Sequence, residues 1–195
     1  PRFDQISLDP ISLDELWKTL RKMKNTSAGT DGWSAALLSQ LPAEALTRLI
    51  TFFHKVELES KWPRSFYHWR LVFLPKDSAA KSGTQAEKTR PIAVGSLLYR
   101  CWSKLRFKSC SAKLENVLAD FQVGGLRGHD SQTLLLAFQQ HLVNHNFPLG
   151  ASLDFSKCFD SVDWILVHSL LSRIGLPPAV TGPLKDMWQI GRAHV

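Results

Sequence analysis

The stretch GASLDFSKCFDSVDW, residues 150–164, sets acidic, aromatic and turn-forming residues close together. Asp154 ends an apolar alternation of Ala151, Leu153 and Phe155, which predicts a short buried strand. A charged carboxylate at the edge of such a strand is costly unless a cation meets it, and that cation need not be a side chain. A tight turn after the strand would aim the amides of Lys157 and Cys158 in one direction, an arrangement suited to divalent metal and phosphate. Phosphoryl transfer needs that combination. Carboxylates hold Mg²⁺, the metal neutralises charge on the moving phosphate, and a second ion roughly 4 Å away stabilises attacking and leaving oxygens. Plainer readings stand beside this one: Asp154 as a turn carboxylate, Phe159 as core, and Asp160 with Asp163 as N-cap and first-turn acid of the next helix.

Composition narrows the setting. The 195 residues are 44% hydrophobic and 21% charged, the profile of one substantial globular core and not of a disordered chain. No apolar run approaches the length of a membrane span, and no signal peptide is apparent. Lys and Arg number 24 against 17 Asp and Glu, a net charge of +7 that favours an anionic partner such as nucleic acid or phosphate. Cys101, Cys110 and Cys158 have no metal-binding spacing, and their odd number suits a reducing, intracellular setting. His141 and His145 lie four apart, but no Cys or carboxylate completes a zinc signature around them.

The elements that must position the acidic stretch are legible in the spacing of apolar residues. A helix is predicted from Ser12, where Ser12 and Glu15 form a capping box and Leu13, Leu16, Trp17, Leu20 and Met23 recur at helical intervals. The turn-rich NTSAGTDGW follows. Pro42 at a first-turn position opens a second helix with Leu46, Leu49, Ile50 and Phe53 on one stripe. HWRLVFLPK and TRPIAV predict two strands joined by a polar loop. Further helices are predicted over about 96–118, 131–145 and 163–174, with another from Pro178. Trp17, Trp62, Trp69 and Trp102 are expected in the core. Arg100, Lys104 and Lys108, with Arg106 and Lys113 nearby, form a basic stripe that could follow nucleic-acid phosphates or face solvent.

LDFSKCFDSVDW resembles the first palm motif of reverse transcriptases, and KCFDSVDW is similar to the non-LTR retrotransposon and group II intron type. SAGTDGW resembles the Gly-x-Asp-Gly segment before the fingers, VFLPK with TRPIAVGSLLYRCWSK resembles the fingers motif, and FQVGGLRGHDSQTLLL resembles the Gln-x-Gly-Phe segment before the palm. The four occur in family order across roughly residues 12–175. Two departures concern packing: Gly125 and Leu126 stand where the family usually has Phe, and Cys158 where it more often has Ala.

The resemblance implies an α+β fold: the fingers and partial palm of a right-hand polymerase, mostly helical with a few short antiparallel strands. Residues 1–149 would form the fingers region with pre-palm helices and 150–189 the start of the palm. IGRAHV, residues 190–195, matches a reading frame run into a sequencing adaptor and is read as a non-native tail. The implied activity is RNA-directed DNA synthesis on an RNA template and DNA primer from deoxynucleoside triphosphates, with Mg²⁺ or Mn²⁺. Asp154 matches the catalytic metal ligand, and the Phe155 carbonyl would be a further ligand. Lys76 and Arg90 match residues that approach the triphosphate. Phe159 matches the gate that excludes a ribose 2′-hydroxyl, and Gln122 a contact near template or nucleotide. The family's second metal-binding carboxylate, in a Tyr/Phe-Ala-Asp-Asp box, would lie downstream with the rest of the palm and a thumb, so this piece is predicted to be inactive alone. A nuclear location is implied by the resemblance only. A non-catalytic nucleic-acid-binding remnant of a mobile element is the alternative.

Overall fold

The computed structural model describes residues 6–24, 26–76, 89–115, 131–144, 153–154 and 161–190. Its first helix, α1 (Leu13–Lys22), begins where the capping box requires: the Ser12 hydroxyl accepts from the Glu15 amide at 3.2 Å, and the Glu15 carboxylate accepts from the Ser12 amide. Leu16 and Leu20 are fully buried, while Leu13 and Trp17 lie on the outer face. A short helix, α2 (Ala35–Leu38), is capped by Ser34. The longer α3 (Ala43–Glu59) buries Leu46, Phe53 and Val56. Pro42 sits at its N-cap, one step earlier than the first-turn position expected. Ser60 ends the helix in the left-handed region, at φ 53°.

Beyond a 3-10 turn at Arg64–Tyr67, β1 (Arg70–Pro75) and β2 (Thr89–Val94) pair antiparallel, as their β-branched and aromatic content predicted. The ribbon presents exposed residues on both faces. α4 (Leu97–Glu115) then crosses the interior, with Leu97, Cys101, Trp102 and Leu105 almost fully buried. Trp102 and Tyr99 join Trp62, Phe52, Phe53 and Phe66 in a continuous aromatic cluster whose ring centroids stand 5.0–6.3 Å apart.

α5 (Ser131–Asn144), α6 (Trp164–Arg173) and α7 (Pro178–Ile190) complete the helices. Asp163 caps α6 by accepting from the Ile165 and Leu166 amides. The sequence reading placed Asp163 inside the first turn, so the helix starts later than expected; Asp160 lies outside the described residues. The end of α6 has the crossed bonds of a Schellman stop: Leu176 donates to Leu171 at 3.0 Å and Gly175 to Ser172 at 3.2 Å. Gly175 has φ 94°, a conformation that costs a residue with Cβ and leaves glycine unstrained. Leu176 and Val180 then pack with Ile6 and Cys110 in a second small core. α7 returns to the first core through Met187, and Asp186 accepts from the Trp62 amide and the Tyr67 hydroxyl.

The architecture is mostly helical with one small antiparallel sheet among the described residues, compatible with an α+β class. Three expectations are corrected. Trp17 and Trp69 are 37% and 40% exposed, whereas Trp62 and Trp102 are core; helical spacing identifies a face but not its outer edge. Arg106 does not belong to an exposed basic stripe, being 4% exposed and held by Glu57. Leu153 and Asp154 carry no strand pairing, and Leu153 is 85% exposed. Among the described residues β1 and β2 pair with each other, and Ala151 and Phe155, the rest of that alternation, lie outside them.

Candidate functional site

The hairpin register sets the cationic residues in order. Leu74 stands opposite Arg90, Val72 opposite Ile92 and Arg70 opposite Val94, so these six share one face. Lys76 follows directly on the end of β1, in a bend after Pro75. Both Lys76 and Arg90 are exposed. The other face carries Leu71, Phe73, Pro91 and Ala93. One side of the ribbon therefore mixes apolar and cationic groups, and its reverse is apolar apart from Thr89.

Asp154 is exposed, so a hydrated ion can reach its carboxylate. Among the described residues no three His, Cys, Asp or Glu side chains gather as a metal cluster. Asp154 thus fits as one ligand, with other oxygens needed from backbone, water or a bound phosphate. Phe155, Lys157, Cys158, Phe159 and Gln122 lie outside the described residues, as does His145.

The basic stripe on α4 divides into two kinds of residue. Lys104 and Lys108 are exposed. Arg100 is half-buried, and its guanidinium already donates to the Thr26 hydroxyl and the Ser27 carbonyl, both at 3.0 Å. Arg106 donates twice to the Glu57 carboxylate, at 2.6 Å from Nε to Oε1 and from the terminal nitrogen to Oε2, and once to the Asp9 carbonyl at 2.8 Å. Trp102 adds a 2.7 Å bond to the same carboxylate. Each nitrogen of the Arg106 guanidinium donates internally, so its charge serves the core.

The partners of one residue in the Gly-x-Asp-Gly segment were not foreseen from the sequence. Asp31, in the loop before α2, reaches the start of α4: its Oδ2 accepts from the Ser96 hydroxyl at 2.7 Å and the Leu97 amide at 2.9 Å. Between Asp31 and the Arg100 contacts, Gly29 lies against Gly95, and a Cβ at Gly29 would stand 2.6 Å from the Gly95 carbonyl oxygen. Gly95 in turn lies under the Trp69 ring. Thr30 completes the contact by donating to the His68 carbonyl at 2.8 Å. The loop SAGTDGW is thereby fastened to the base of the hairpin. The sequence signal was the Gly-x-Asp-Gly spacing, but neither periodicity nor capping rules link residues 65 positions apart.

No protein-family model matches the chain. The chain is 27% identical over 188 residues to the retrovirus-related Pol polyprotein from type-1 retrotransposable element R2 of Bradysia coprophila, an alignment covering 92% of this chain and 20% of that protein. The chain therefore spans about a fifth of the length of the curated relative it matches. That similarity, running through nearly all of the present chain, points to a retrotransposon-related origin.

Proposed function

We propose that the chain is part of a reverse transcriptase of the non-LTR retrotransposon or group II intron type, contributing fingers and the first catalytic segment of the palm. The observation that carries this reading is the hairpin: Arg90 lies on an exposed face, Lys76 is exposed one residue past the end of β1, and the acidic palm motif comes later in the chain. The order of the four motifs and the similarity to a retrotransposon polyprotein support it. The substrates in this reading are an RNA template, a primer with a free 3′-hydroxyl, and deoxynucleoside triphosphates.

Each residue then has a distinct task. Arg90 offers a planar fork to two phosphate oxygens, and Lys76 a compact charge to a third. Asp154, with the Phe155 carbonyl, would hold Mg²⁺. When bound, the metal neutralises charge as the primer hydroxyl displaces pyrophosphate. Phe159 is assigned by its motif position the exclusion of a ribose 2′-hydroxyl, so selection would work by exclusion. Lys104 and Lys108 face the nucleic-acid backbone and make binding salt-dependent.

Primer extension on an RNA template by the parent-length protein tests the assignment. Asp154→Asn is expected to lower deoxynucleotide incorporation by more than the ~10–100-fold that loss of even an outer-shell metal partner costs, while primed template still binds. Incorporation by Asp154→Asn at the unsubstituted rate would remove the metal role of Asp154 and the polymerase reading with it.

A further inference from the structure

We propose that Asp31 is a positioning residue, which sets the hairpin's cationic face by clamping the junction between β2 and α4. This inference rests on Arg90 being a triphosphate contact. The junction consists of Gly95 and Ser96, between the last residue of β2 and the first of α4. Asp31 holds Ser96 and Leu97 from one side, and the backbone of Gly29 meets Gly95 with no space for a methyl group. Arg100, one turn into α4, grips the same loop at Thr26 and Ser27. Three contacts thus tie residues 26–32 to one turn of helix and to the glycine that feeds it.

The geometry works as a lever. Arg90 lies four residues before the end of β2, about 14 Å along a strand at ~3.4 Å per residue. A tilt of about 10° at the junction would displace Arg90 by roughly 2 Å over that arm, enough to lose the paired contact of a guanidinium fork with phosphate. Among the described residues the ribbon is exposed on both faces, and a two-stranded hairpin of that kind is marginal by itself. The carboxylate suits the task. One oxygen accepts two hydrogen bonds, and the negative charge stands where the helix dipole is positive. The second oxygen, Oδ1, is buried without a hydrogen-bond partner among the described residues, so Asp31 is held at the junction through Oδ2 alone.

Inorganic tripolyphosphate, titrated calorimetrically into the 195-residue chain well below its thermal midpoint, provides the test. Arg90→Ala is expected to weaken binding, and Asp31→Ala to weaken it roughly three- to tenfold, the factor corresponding to loss of a helix cap. Asp31→Asn preserves the two accepted bonds and is expected to stay within about twofold of the unsubstituted chain. Leu38→Ala, in α2 just after this loop and buried in the first core, should lower the thermal midpoint without changing the affinity. Unchanged affinity in Asp31→Ala would overturn the positioning role while leaving the Arg90 assignment intact. Equal weakening by Leu38→Ala would also overturn it, by tracing the effect to general stability. Failure of the unsubstituted chain to bind, or equal binding by Arg90→Ala, would instead remove the phosphate reading on which the inference rests.

Discussion

Glu57 and Arg106 are the residues whose removal is expected to cost most. Both are at least nine-tenths buried, and their two 2.6 Å contacts form a bidentate pair that Trp102 and the Asp9 carbonyl complete. A buried pair of this kind adds little over an apolar pair of equal volume, but a single partner left behind is an uncompensated charge. Glu57→Ala is therefore expected to lower unfolding free energy by about 3–5 kcal/mol in chemical denaturation, and Glu57→Leu combined with Arg106→Met to recover most of that loss. A second residue-scale outcome concerns Tyr67. Burial, then the hydrogen bond to Asp186 and that carboxylate's charge, push its phenol up to about 12, and burial raises Tyr99 as well. Both tyrosines of the chain should thus stay protonated past pH 10, where an unfolded tyrosine ionises. Because the folded-state value is the higher one, the stabilisation is complete below pH 10 and disappears as pH rises toward 12. Absorbance at alkaline pH should show delayed phenolate formation, and Tyr67→Phe should remove the Tyr67 part of that step.

At the scale of elements, close backbone approaches decide which substitutions the helices tolerate. Gly182 of α7 presses on Ser60 at the end of α3, where an added Cβ would collide with the Ser60 hydroxymethyl group. Gly182→Ala is expected to cost about 1–3 kcal/mol through this overpacking. Ser60→Gly removes the obstructing side chain and suits the left-handed cap, so it should stabilise the chain by up to ~1 kcal/mol. The double variant should be more stable than the sum of the two single effects, a coupling measurable by thermal denaturation. On α4, Lys104→Gln and Lys108→Gln should each reduce the salt slope of RNA binding by about one if each lysine meets a phosphate. Arg100, already committed to Thr26 and Ser27, should change stability more than that slope.

At the scale of the whole molecule, apolar surface is unevenly covered. The first core is closed by α1, α3, α4 and α7, yet Leu134, Leu135, Leu136, Phe138 and Val143 of α5 and Ile165, Leu166 and Leu170 of α6 are exposed. A helix with apolar side chains all round is stable in water only when something covers it. The 195-residue chain is therefore expected to bind a hydrophobic dye while folded and to self-associate as its concentration rises, measurable by sedimentation. Leu135→Glu with Val143→Lys should diminish both effects without lowering the thermal midpoint, because neither side chain is part of a buried cluster. Among the described residues no helix is long and apolar enough to cross a membrane.

Local rules determined much of this protein before any folding was considered. Ser12 and Glu15 announced α1, β-branched and aromatic residues announced the ribbon, and Gly175 with Pro177 announced the end of α6, because capping, pleating and helix termination act over a few residues. The tertiary structure alone decided the partners of Asp31, Arg100 and Arg106. Their hydrogen bonds join residues 49 to 97 positions apart, or 65 and 66 for Asp31, and such pairings depend on how helices cross. The same holds for the tryptophans. Trp17 and Trp102 both lie on amphipathic helices, but only the surrounding elements decide that one ring stacks beneath Arg21 at the surface and the other is sealed in the core.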